Sequence, residues 1–416
     1  MTDVLPTVVV VYDIGAATPL EILSAAAGTC DVLFLYDRSR PEAAPGVEFI
    51  RELADGLDAT GRTVDELADM LRERRPAGIV TFSEYALRLT CQLGERLSLR
   101  GHDLATLDRL TRKSLQREAL ASAGVDGLAF RLVRSVEEAT AALDEIGFPA
   151  VLKPSTGTHS RDTFRLDSAE DWHNLARSID LSEDFVVEEL LVGDRRWTGE
   201  GWGDHVSVEY ASFDGDHQHI VTLGKFPLAE PFRETGDFFP STLDEPARQQ
   251  VRSLVAAALT AVGVRDGVTH TEVKFTATGP RIIEINGRLG GGTADIVRKA
   301  GALNPITIAL QIALNYRPQP DCPDKSEEVV FEMSLLSPLE RVRVESIGGL
   351  DAVRALEGID RVVAVARPGS IVDWRDGSVS QLCTVFGRIH GHPALARLRR
   401  DIHKTLDVTF SPGAAW

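Results

Sequence analysis

The 416-residue chain carries 62 acidic against 45 basic side chains, a net charge of −17. That balance argues against nucleic acid as a principal partner, since binding a phosphate backbone needs a basic surface, although a few local lysines still suffice for one nucleotide. A composition 43% hydrophobic and 26% charged belongs to a folded globular protein, long enough for two to three domains.

No leader or membrane-spanning stretch is expected, because the apolar run Val8 to Val11 is too short for either. Cys30, Cys91, Cys322 and Cys383 have neither zinc-site spacing nor the density of a disulfide scaffold. They read as reduced core residues of a cytoplasmic protein.

Thr7 to Tyr12 is continuously apolar, the mark of a parallel strand buried on both faces. Asp13-Ile14-Gly15 then turns into a helix near Pro19. Further strands at Asp31 to Tyr36 and Gly78 to Phe82, with helical patterns between them such as Val64 to Arg74, give an open α/β domain. Ligands in such sheets sit beyond the carboxyl ends of strands, here Asp13 to Gly15, Asp37, and Thr81 to Glu84. Without GxGxxG, a dinucleotide is not expected. Glu84 by itself suits an acid facing a helix dipole.

Thr106 to Gly124 reads as one amphipathic helix with Lys113 on its solvated face. Ala150 to Leu152 is a short strand ending on Lys153-Pro154, and a lysine beside a Thr/Ser/Gly loop is a plausible phosphate clamp. Asp184 to Asp194 is a strand ending at Glu188 and Glu189, by themselves two solvated acids. His205 to Phe213 and His219 to Lys225 form a hairpin, with His217 and His219 beside its turn and expected to be exposed. Leu243 to Val262 is helical, and Gly263 stops it.

Thr271 to Phe275 and Arg281 to Asn286 form a second hairpin. A three-residue loop of Ala277, Thr278 and Gly279 puts Glu272 opposite Glu284. Glu272, Glu284 and Asn286 then share one face, and Val273, Phe275, Ile283 and Ile285 the buried one. Facing carboxylates weaken a hairpin unless something positive lies between them. Hard oxygen ligands suit Mg²⁺ held together with substrate phosphates, and Arg288 reaches towards a transferring phosphoryl group. An acidic, solvated face is the competing reading. Leu289-Gly290-Gly291-Gly292-Thr293 follows, whose backbone N–H groups suit an anion. Arg317 to Asp324 reads as a linker, and the remainder as alternating strands and helices without a catalytic constellation.

Glu272 with Glu284-Ile285-Asn286-Gly287-Arg288 resembles the metal-binding core of the ATP-grasp enzymes, in particular their carboxylate–amine ligases, which include the L-amino acid ligases. The resemblance implies an α/β fold, α+β in its centre: an N-terminal α/β domain at 1–105, an ATP-grasp domain of two lobes at 106–317, and a small C-terminal lobe at 325–416. It implies ATP held by Lys113, Lys153, Glu188, Glu189 and the backbone near Leu191. Mg²⁺, or Mn²⁺ in its stead, would sit on Glu272, Glu284 and Asn286. Arg288 is the implied catalytic residue. Glu84, Ser207, Glu209, Asp237, Gly291 and Gly292 are implied at the substrates. Dipeptide ligases often have His where Asp237 stands, so a cationic amine is one option.

The ribose contact stays open between Asp194, Asp204 and another residue, because the usual G-x-E is absent. The implied reaction joins a small carboxylate to an amine through an acyl phosphate, in a homodimer. The same first step with a purine-pathway or carbamoyl acceptor is the nearest alternative. A regulator without turnover is disfavoured, because both acids, the Asn and the Arg are all present.

Overall fold

The computed structural model describes residues 5–323 and 325–413. The expected linker's last residue, Asp324, and the outermost residues of the first and last domains lie outside that description. At the N-terminus a parallel sheet runs in the order Gly56–Asp58, Asp31–Tyr36, Thr7–Tyr12, Gly78–Val80. Val8 and Val10 enter one apolar core and Val9 and Val11 another, so the strand is buried on both faces as its run of valines requires. Thr18 and Glu21 form a capping box that starts the helix at Pro19.

The central sheet has eight strands. From the edge they are Gly279–Asn286, Gly267–Thr276, His205–Phe213, Asp216–Lys225, Gly236–Phe239, Glu328–Leu336, Gln381–His390 and Ile359–Ala364. The last three come from the C-terminal part of the chain, so that part extends the central sheet. On one face, Val206, Val208, Tyr210, Val273, Phe275, Ile282 and Ile285 pack under the helix Glu245–Val262, which Gly263 ends in a left-handed cap. The opposite face carries the polar alternates of the same strands.

A smaller antiparallel sheet, in the order Phe130–Val133, Phe185–Glu189, Ala150–Pro154, Phe164–Leu166, forms a separate lobe over that polar face. The helix Pro305–Ala313 packs back onto the N-terminal sheet, sharing its core. Among the described residues no helix is long and apolar enough to cross a membrane.

Two expectations change here. The single helix over Thr106 to Gly124 is two, Leu104–Thr111 and Lys113–Ser122, because Arg112 adopts an extended conformation (φ −115°, ψ 110°). His217 and His219 are half-buried rather than exposed; His217 meets Ser212 at 2.8 Å and His219 meets Thr222 at 2.8 Å.

Candidate active site

The Glu272–Glu284 pairing holds, by a different route from the expected loop. The hairpin turn has two residues, Ala277 and Thr278, with Thr276 opposite Gly279. That alone would place Glu272 against Ile283. A bulge between Glu272 and Val273 inserts one residue and restores Glu272 opposite Glu284. The extra residue is Ile283. It therefore leaves the buried set, where Ile282 takes its place, and lines the cleft instead.

The acid-bearing strand is a sheet edge, and its outward backbone groups are met by side chains of the second helix and its exit. Gln116 both donates to the Ile285 carbonyl (2.9 Å) and accepts from its N–H (2.8 Å). Arg117 donates to the carbonyls of Ile282 (2.8 Å) and Ile283 (2.7 Å), and Asp126 accepts from the Ile282 N–H (2.9 Å). The helix break at Arg112 has a function in this arrangement. It puts Lys113 at a helix start, where its N–H donates to the Ser155 carbonyl (2.8 Å) and its Nζ meets Glu284 at 2.9 Å and the Gly157 carbonyl at 3.0 Å.

Between the small lobe and the central sheet lies an open cleft. Of the expected ATP and metal residues, Lys113, Lys153, Glu188, Glu189, Leu191, Glu272 and Glu284 line it. Glu188 is fully buried, with Lys153 at 2.8 Å and Arg117 at 2.9 Å. Burial alone would raise its pKa; the two cations outweigh that and hold it at about 2. Glu188 is thus no solvated acid: it is an anchor that fixes the Lys153 ammonium. Glu189 remains partly exposed at the rim, 3.9 Å from Arg281. Asp204 pairs with Lys274 at the cleft wall (2.6 Å), and Asp194 pairs with the exposed Arg196.

Beyond Glu272 the polar face continues towards the glycine loop. Ser207 and Glu209, expected at the substrates, are wholly buried. Glu209 holds the loop from beneath: it accepts from the Gly290 N–H (3.3 Å) and the Thr293 hydroxyl (3.3 Å), and pairs with His270. A Cβ at Gly290 would lie 2.4 Å from His270 Nδ1, so only glycine permits this approach. His270 stands opposite Asn286 with Nε2 3.6 Å from Glu272. Burial opposes its charge, but Glu209 and then Glu272 push its pKa up to about 9. Sequence reasoning passed over His270, although alternation puts it on the Glu272 face.

Asp237 does not stand as a free acid. Lys225, buried, meets it at 2.7 Å and Glu234 at 2.5 Å. Glu332 stands opposite Asp237 in the neighbouring strand. Its carboxylate lies against Gly292, where a Cβ would come within 2.1 Å of it. Burial, and next Asp237 and Asp295, push its pKa up to about 7. Gly291 faces open space. Arg288 donates to the Leu289 carbonyl (3.0 Å) and pairs with Glu84 at 3.3 Å. Burial raises the Glu84 pKa, and Arg288 opposes the rise.

Among the described residues no three His, Cys, Asp or Glu side chains are arranged as a metal cluster. Glu272, Glu284 and the buried Asn286 nevertheless supply hard oxygen donors on one face, a set that fits Mg²⁺ shared with phosphate oxygens.

Comparison with known proteins agrees with this geometry. Residues 146–295 match the ATP-grasp domain model. The chain is 28% identical over 263 residues to alanine–anticapsin ligase of Bacillus subtilis (strain 168), covering 59% of this chain and 55% of that one. It is 24% identical to an L-arginine-specific L-amino acid ligase of B. subtilis, covering 74% of each. The chain spans about half the length of the alanine–anticapsin ligases it matches. The solved L-amino acid ligase from Bacillus licheniformis superposes over 99% of this chain and 100% of its own, with TM-score 0.78 at 20% identity. Residues 146–295 thus carry an ATP-grasp domain, and the chain as a whole shares the fold of the solved L-amino acid ligase.

Proposed function

We propose that the protein is an ATP-dependent carboxylate–amine ligase that forms an amide through an acyl phosphate, releasing ADP and phosphate. The observation carrying this reading is the Glu272–Glu284 pair in a cleft that also presents the Lys113 and Lys153 ammonium groups, with Arg288 just beyond. The similarity to alanine–anticapsin and L-amino acid ligases supports it.

ATP lies in the cleft with its phosphates between Lys113 and Lys153. Its base sits against the strand end at Glu189 and Leu191, while Glu188 keeps Lys153 in place. Glu272, Glu284 and Asn286 would hold Mg²⁺, which would neutralise phosphate charge when bound. A substrate carboxylate oxygen attacks the γ-phosphorus and ADP leaves. Arg288 grips the transferring phosphoryl group with its planar fork. The amine then attacks the acyl carbon, loses a proton, and phosphate departs carrying one former carboxylate oxygen.

Glu84, whose Oε2 is ion-paired with Arg288, stands at the substrate side of the site and takes a substrate ammonium in this reading. The exposed Gly291 and the loop around it face the acyl group. A cytoplasmic homodimer is part of the same reading; the 2-oxoglutarate carboxylase domain that resembles this fold was solved as a dimer. Carboxylate labelled with ¹⁸O tests the route. One labelled oxygen should appear in the released phosphate, and unlabelled phosphate would exclude an acyl phosphate.

A further inference from the structure

The loop after Lys153 is gripped by a distant segment, Trp374–Val379. The Ser378 N–H donates to the His159 carbonyl at 2.8 Å, and the Asp162 N–H donates to the Arg375 carbonyl at 3.1 Å. Trp374 stands edge-on to Phe164 with ring centroids 6.0 Å apart. Gly377 has φ +69°, and a Cβ there would lie 1.9 Å from the His159 carbonyl oxygen, so the two backbones meet only because this residue is glycine. In the gripped loop His159, Ser160 and Asp162 are left-handed, with φ of 62°, 58° and 46°. Side chains other than glycine hold that conformation where their surroundings over-determine it.

Ser378 also reaches the other way. Its Oγ accepts from the Glu234 N–H at 2.8 Å. Glu234 is the acid that meets both Lys225 and His205, the latter at 3.2 Å, next to Glu272 in the cleft. A parallel link exists through Ser160, whose hydroxyl donates to the Phe232 carbonyl at 3.0 Å. One residue thus holds the phosphate-side loop by its backbone and the loop carrying Glu234 by its side chain.

We infer that Ser378 is a positioning residue that transmits nucleotide occupancy at residues 158–162 to the loop at residues 232–236. This rests on the cleft being the nucleotide site. The backbone half of the link is independent of side chain, whereas the hydroxyl half is not, so the two halves separate by mutation.

Hydrogen–deuterium exchange on the full chain, with and without Mg²⁺ and a non-hydrolysable ATP analogue, tests it. In the wild type the analogue should slow exchange in peptides covering both 158–162 and 232–236. In Ser378→Ala it should still protect 158–162, while protection of 232–236 falls at least threefold. Ser378→Thr, which keeps a hydroxyl, should restore it, and Ser160→Ala added to Ser378→Ala should abolish it. Protection of 232–236 in Ser378→Ala equal to wild type overturns the coupling alone. No protection of 158–162 in the wild type overturns both the coupling and the nucleotide site.

Discussion

Glu84 and Arg288 meet at 3.3 Å across the boundary between the N-terminal sheet and the loop that follows the acid-bearing hairpin. Both side chains are largely buried, so the pair fixes where the guanidinium points before any substrate arrives. The catalytic role proposed for Arg288 and its anchoring of the loop therefore fall on one residue, and kinetics must be read beside stability.

Arg288→Lys keeps the charge and loses the fork. An interaction made mainly in the transition state lowers kcat and kcat/KM together. Loss of one charge-assisted contact of about 1.5–3 kcal/mol predicts a kcat roughly 10- to 150-fold lower, with KM for ATP little changed. Steady-state kinetics with a melting curve on the same variant decide it. A destabilised enzyme with normal kcat would assign Arg288 to anchoring alone.

Glu284→Gln should abolish Mg²⁺-dependent turnover while the chain still folds. Facing acids by themselves suggest that removing one charge would steady the hairpin. The Lys113–Glu284 ion pair at 2.9 Å reverses that expectation. The metal-free variant should lose on the order of 1 kcal/mol, read as a lower denaturation midpoint. Unchanged activity with an unchanged metal requirement would remove Glu284 from the site.

Lys153→Ala and Arg117→Ala separate binding from structure around Glu188. The first leaves Glu188 paired with Arg117 and should weaken ATP binding by about 1.5–3 kcal/mol. The second removes the bidentate partner of a buried carboxylate and two strand contacts, and should destabilise the fold by about 3–5 kcal/mol. Chemical denaturation and nucleotide titration of both variants would expose the error if the effects were interchanged.

The facing of Glu272 and Glu284 was legible because it rests on local alternation, whereas Lys113 and Lys153, which line the same cleft, were singled out by the resemblance of their segments. Other features depend on partners far along the chain. The bulge at Ile283 cannot be read from a turn. The break at Arg112 is held by Ser155, and Glu188 looks solvated until Arg117 arrives from another helix. Glu332 gains its setting only because its strand pairs with that of Asp237, nearly a hundred residues earlier. No single-strand pattern announces that.

Glu332 also makes a pH-dependent prediction. Its folded pKa, about 7, lies above the ordinary value of 4.5. The folded state therefore binds more protons between those values, and stability falls as pH rises through that window. The full shift corresponds to roughly 3 kcal/mol or slightly more. Glu332→Gln should flatten the fall, measured as the difference in melting temperature between pH 5 and pH 7.5. Parallel curves for variant and wild type would show that this carboxyl is not the titrating group.

The most direct measurement is ADP release by the purified chain with Mg²⁺ and ATP against a matrix of amino-acid pairs, with mass spectrometry of the products. The account predicts one ADP per amide formed, release that needs both a carboxylate and an amine, and loss of both signals in Glu284→Gln. ADP release indifferent to every such pair, or dependent instead on bicarbonate or a purine-pathway amine, would contradict it.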